Sequence, residues 1–154
     1  MSAIGRYPYK QSKEAQAMKM NEPVGDAMYG PLFIRLTLGS YFIFAGLTKL
    51  DNPTAFVNEV QKFNILREPL ATLYGLLLPY IEILAGGLLL LGLWTTLAAI
   101  VTSLMLLSFV IALRIFPEPG SHLFNKDVIL LGASMSLMWS GPGFFSIDYF
   151  RKTG

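Results

Sequence analysis

Cysteine is absent from the 154 residues. That excludes disulfide scaffolds, thiol–disulfide catalysis, Cys-ligated zinc and cysteine-ligated iron–sulfur clusters. Histidine occurs once, as His122, too few for two axial haem ligands or a multi-histidine centre, so no metal site is expected. Charge is scarce as well: 14% of residues are Asp, Glu, Lys or Arg, against about 25% in a typical soluble domain. The net charge of +2 is too small to suggest a nucleic-acid partner. A small chain has a high surface-to-volume ratio and needs polar surface to stay in water. This one lacks it, and an ordinary soluble globule is excluded.

What is present is apolar. Hydrophobic residues make up 53% of the chain, and the mean hydropathy is +0.51. From Pro69 to Leu113 the only charge is Glu82. That run is about twice the roughly 20 residues needed to cross a bilayer core, so it must fold back once, with Gly92 as the turn. Helices are predicted over 70–91 and 93–116. A third lies upstream over 31–50, with Pro31 at a tolerated helix start. A fourth, shorter one runs from Asp127 to Ser140, where Gly141-Pro142-Gly143 ends it. The expected fold class is all-α: a polytopic membrane protein built as a four-transmembrane-helix bundle. In the loop 51–69, Phe56, Val57, Val60, Phe63 and Ile65 suit a short interfacial helix, with Asn58, Glu59, Gln61 and Lys62 toward water. Residues 1–28 form a polar extension, 29–148 the membrane domain and 149–154 a tail.

Ionised side chains in hydrocarbon cost at least about 2.5–3.5 kcal/mol, so the few charges within the spans carry most of the information. Arg35, Gly39, Phe42, Gly46 and Lys49 follow one another at steps of four, three, four and three and share one helix face. Gly75, Pro79, Glu82 and Gly86 do the same on the next helix, and glycines there let a neighbouring backbone approach. Depth, taken at about 1.5 Å per residue, favours Arg35 over Lys49 as the partner of Glu82. Lys49, Arg114, Asn125 and Asp127 are expected to form a second polar cluster near the outer surface, with Lys126 and His122. The structural alternative for both clusters is that the ion pairs merely fix helix packing, or that end charges snorkel to water. His122 reads as a solvated loop residue.

The segments Arg35-Leu36-Thr37-Leu38-Gly39 and Phe44-Ala45-Gly46-Leu47-Thr48-Lys49-Leu50 resemble the DoxX family of small four-helix membrane proteins. So do Pro79-Tyr80-Ile81-Glu82, Gly86-Gly87-Leu88-Leu89-Leu90-Leu91-Gly92, Asn125-Lys126-Asp127, Gly141-Pro142-Gly143 and Ser146-Ile147-Asp148. The resemblance covers about residues 31–148. It implies a four-helix bundle and a setting among respiratory and redox proteins, without a mechanism.

Three functional readings follow. The first is an accessory or structural subunit of a larger membrane redox complex, with residues 1–28 as a docking segment for other subunits. The second is a quinone-reactive oxidoreductase component, in which Glu82 or Asp127 exchanges a proton and Arg35 or Lys49 hydrogen-bonds the quinone carbonyl. The third, a small-molecule or ion carrier, suffers from the lack of an inverted repeat in four spans. No intrinsic cofactor is expected, with quinone or bound lipid as the candidates for the bundle interior. The bilayer itself is the first expected partner. Basic residues split six against five, Arg6, Lys10, Lys13, Lys19, Arg151 and Lys152 against Lys49, Lys62, Arg67, Arg114 and Lys126. That favours both termini in the cytoplasm and the bacterial inner membrane as the location.

Overall fold

The computed structural model describes residues 25–62, 65–115 and 126–153, and the side chains of these except at 113–115 and 153. Among these residues every regular element is a helix. The order is α1 (Tyr29–Asp51), α2 (Pro53–Lys62), α3 (Glu68–Leu91), α4 (Thr95–Ile115), α5 (Lys126–Ser140) and α6 (Ile147–Thr153). Three stretches among the described residues are long and apolar enough to cross a membrane: Tyr29–Asp51, Glu68–Leu91 and Thr95–Ala112. Four were expected. With 15 residues, α5 covers about 22 Å at helical rise, less than a hydrocarbon core of about 30 Å. It nonetheless packs along α4 and α1 as the fourth long wall of the bundle.

Helix starts and stops follow local chemistry. Pro31, Pro53 and Pro69 stand in first turns, where the missing N–H is not needed. The turn between α3 and α4 falls where the sequence puts it. Gly92 takes a left-handed φ of 64°, and the N–H of Leu93 donates back to the carbonyl of Leu88 at 3.0 Å, closing the helix end.

α1 and α3 run antiparallel in the closest packing of the molecule. On α1 the buried residues include Arg35, Gly39, Phe42 and Gly46. On α3 they include Gly75, Pro79, Glu82 and Gly86. These are the two faces that the spacing of small and charged residues predicted. A Cβ on Gly39 would sit 2.8 Å from the carbonyl oxygen of Gly86, and one on Gly86 2.7 Å from that of Gly39. Both positions are small so that the two backbones can touch. One level further along, Gly46 lies against the carbonyl of Pro79. The core is completed by Leu38, Phe42, Leu78, Leu89, Ala98, Ala99, Leu106 and Leu137.

Outward-facing residues are as apolar as the core. Phe44, Leu73, Leu84, Leu104 and Ile129 all stand exposed. An exposed apolar surface running round all four long helices is the signature of a protein solvated by lipid. At one end, Trp94, Trp139, Phe145 and Phe150 are exposed beside Arg151 and Lys152, as in an interfacial belt.

α2 forms in the first loop, as the apolar spacing predicted, but it leans on α3. Val57 seats against Gly75, and Gln61, expected to face water, donates to the Thr72 hydroxyl at 3.0 Å. Asn58, Glu59 and Lys62 are exposed as expected. Phe63, His122 and the first 24 residues of the polar extension lie outside the described residues.

Candidate functional site

The polar groups of the bundle gather at two ends. The first gathering joins α1, α2, α3 and α4. Lys49 Nζ donates to both carboxylate oxygens of Glu82, at 2.5 and 2.6 Å. Glu82 is 1% exposed and Lys49 21%. Glu82 is thus paired with Lys49 and not, as the depth count favoured, with Arg35. That count gave Arg35 the shorter gap along the axis and left out the direction in which each side chain leaves its helix. Helical side chains lean toward their own N-terminus. In antiparallel helices, Lys49 therefore leans back into the bundle while Glu82 leans forward to meet it. The ammonium also lies 5.3 Å from the Phe56 ring centre and 5.4 Å from that of Phe109, close enough for cation–π attraction.

Those two rings line a cavity of about 450 Å³ under α2, bounded also by Val60, Leu66, Tyr74 and Ser108. Its polar feature is a hydroxyl pair: Tyr74 Oη and Ser108 Oγ lie 3.0 Å apart. Ser108 Oγ is 2.6 Å from the carbonyl of Met105, to which it donates.

Arg35 anchors the second gathering. It is 1% exposed and has turned away from Glu82 toward the segment after α5. Its guanidinium donates to the carbonyls of Pro142 at 3.2 Å, Phe144 at 3.3 Å and Phe145 at 2.7 Å. A planar fork with five donors suits such a cluster of carbonyls. Gly92 is required here twice over, by its φ and because a Cβ would strike the guanidinium. Arg35 Nε is the one buried side-chain polar atom without a hydrogen-bond partner among the described residues.

Asp148 closes the same end. Its carboxylate accepts the N–H of Trp94 at 3.0 Å, the N–H of Thr95 at 2.8 Å and the Thr95 hydroxyl at 3.0 Å. It thus caps α4 from α6, an element far along the chain. Its own N–H donates to the carbonyl of Gly92 at 3.0 Å. Burial alone would push the carboxyl up. The N–H groups of Thr95 and Trp94 and the Thr95 hydroxyl, with Arg151 nearby, outweigh that and hold it below the ordinary aspartate value.

Between the two ends, Ser103 and Ser134 pair their hydroxyls across α4 and α5.

Of the expected outer cluster, the described residues set Lys49 on Glu82 and place Asp127 apart from it. Asp127 is buried in the first turn of α5, where the helix dipole favours a carboxylate. Among the described residues no hydrogen bond or ion pair joins it to Lys49. Lys126 sits over the Tyr41 ring at 5.8 Å. Asn125 and the side chain of Arg114 lie outside the described residues. Sequence reasoning missed Asp148 as a cap and the Tyr74–Ser108 pair. The signal for the pair was thin: two hydroxyl residues on adjacent helices.

The family model for "Methylamine utilisation protein MauE" matches residues 27–117, more than half of the chain. An uncharacterized membrane protein of Mycobacterium tuberculosis is 29% identical over 127 residues, covering 75% of this chain and 77% of that protein. No solved structure matches. The resemblance to DoxX is overturned, since the family model that matches is MauE and none for DoxX does. Glycine-rich apolar helices bearing a few charges recur in many small membrane proteins, so those motifs were not specific. The chain belongs to the MauE family.

Proposed function

We propose that this MauE-family membrane protein is an accessory component of a membrane-embedded redox system, positioning other subunits rather than catalysing alone. One observation carries the reading: the bundle's strongest polar groups are already engaged by one another. Both oxygens of Glu82 are held by Lys49, three carbonyls by Arg35, and Asp148 by the start of α4. Groups so occupied hold a scaffold together. The redox setting draws on the family's description, since a reduced one-carbon amine is used by being oxidised. In this reading α5 is a fourth, short span, accommodated by local thinning of the bilayer. An even number of spans places both termini on one side, and Trp94, Trp139, Arg151 and Lys152 at that end favour the cytoplasmic face of an inner membrane. Residues 1–28 supply a polar segment for docking. A quinone-reactive role is the weaker reading, because Lys49 is held by Glu82 and both terminal nitrogens of Arg35 by carbonyls, which leaves only the buried Arg35 Nε without a partner.

Gentle extraction from the native membrane tests this. Stoichiometric partners should co-purify, and deletion of residues 2–24 should release them. A chain recovered alone, or sustained quinol turnover by the pure chain that is lost in Glu82→Gln, overturns it.

A further inference from the structure

The cavity under α2 is unlike the rest of the interior. It has about 450 Å³ of free space, within the range of small-ligand pockets, about 300–1,000 Å³. Its walls are apolar except at Tyr74, Ser108 and the exposed Glu59. Proton accounting fixes what the hydroxyl pair can offer. Ser108 has one hydroxyl hydrogen, committed to the carbonyl of Met105 at 2.6 Å. Ser108 Oγ must therefore accept from Tyr74, whose one hydrogen spans the 3.0 Å between them. Neither hydroxyl has a hydrogen left to donate, and the Tyr74 oxygen keeps acceptor capacity. Glu59 adds an acceptor-only carboxylate when ionised. Lys49 lies over the Phe56 and Phe109 rings that line the cavity and is held by Glu82.

We infer that this cavity binds a membrane amphiphile whose head donates a hydrogen bond to Tyr74 Oη, an alcohol or phenol on a hydrocarbon tail. A head that only accepts, such as an ether, an ester or a quinone carbonyl, leaves the tyrosine oxygen facing a second acceptor and binds less well. The walls take the tail, and α2, pinned by Val57 on Gly75 and by Gln61 on Thr72, forms the roof. This goes beyond the accessory role, which requires no ligand, and its test needs no partner subunit.

The full chain in phosphatidylcholine nanodiscs is exposed to 1-dodecanol or to dodecyl methyl ether, and bound adducts are counted by native mass spectrometry. The alcohol should be retained about fivefold more than the ether, the worth of one net hydrogen bond. In the double variant Tyr74→Phe with Ser108→Ala, which removes both acceptor oxygens, the two should be retained equally. Ala112→Phe, which fills the cavity, should lose both. Solvent extraction of the chain purified from its own membrane separates two natural sources, a glycerol-based lipid alcohol and an isoprenoid quinol. Enrichment of either over Ala112→Phe supports the assignment. Equal retention of alcohol and ether by the unaltered chain overturns it, as does a preference that survives the double variant or enrichment of neither natural class.

Discussion

The two ends of the bundle each hold a basic residue from the same face of α1, Arg35 buried and Lys49 partly so, and they neutralise it differently. Lys49 meets a carboxylate, so one end holds a true ion pair with aromatic rings around it. Arg35 meets three backbone carbonyls, so the other end holds a cation solvated by main chain. The first arrangement depends on a partner that one mutation can remove. The second depends on the path of the chain after α5, which no single side-chain change abolishes. The contrast predicts different responses to substitution at each end.

The largest effect is expected at the ion pair. Glu82→Ala leaves an ammonium facing an apolar interior and should cost about 3–5 kcal/mol. The double change Lys49→Met with Glu82→Leu removes both charges and should cost distinctly less, because no orphaned charge remains. Reversible unfolding in detergent, together with abundance in the membrane, measures both. A double variant as damaged as the sum of the two singles would show that pairing is not what holds this end.

At the other end, Arg35→Lys separates charge from shape. Lysine keeps the positive charge but loses the planar fork, and it cannot reach three carbonyls at once. A loss of about 1–3 kcal/mol is expected for the carbonyls left unsatisfied. Wild-type stability in Arg35→Lys would mean that charge alone suffices, and the contrast between the two ends would fail.

The glycine contact that links the ends should respond through packing. Gly39→Ala or Gly86→Ala drives a methyl into the facing carbonyl and should cost about 1–3 kcal/mol. Gly87→Ala, on the same helix with nothing near its Cβ position, should be neutral or stabilise by about 0.4–1 kcal/mol. Thermal midpoints of the three variants decide it.

How much of this was legible in the sequence depends on the physical reach of each signal. The faces of α1 and α3 were legible because small and charged residues recur at helical steps, a signal carried within each helix. The turn at Gly92 was legible because an apolar run twice the length of one span must fold back, and its local break falls there. Which cation meets Glu82 was not, because it turns on side-chain lean in antiparallel helices, which a depth count along straight rods omits. The family was not, because glycine-rich apolar helices are shared too widely. The cap on α4 was not, because the capping carboxylate, Asp148, comes from an element 53 residues later than Thr95, and no local pattern announces it.

That distant cap gives the smallest and most specific prediction. Asp148→Ala should cost about 1 kcal/mol, the usual worth of an N-cap, while Asp148→Asn should retain part of it because the amide oxygen still accepts an N–H. The pH dependence distinguishes charge from geometry. The folded carboxyl titrates below its unfolded value, which is about 3.9 for aspartate. Its stabilisation is therefore fully present above that value and is lost as pH falls through the lower folded value. Stability of the wild type should fall more steeply than that of Asp148→Asn over this acid window, and the two curves should run parallel at neutral pH. Parallel curves across the acid window as well would mean that the carboxylate holds α4 by shape alone. The contrast between the two ends would then sharpen, since the Arg35 end would be held by hydrogen-bond placement alone and the other by the Lys49–Glu82 charge pair.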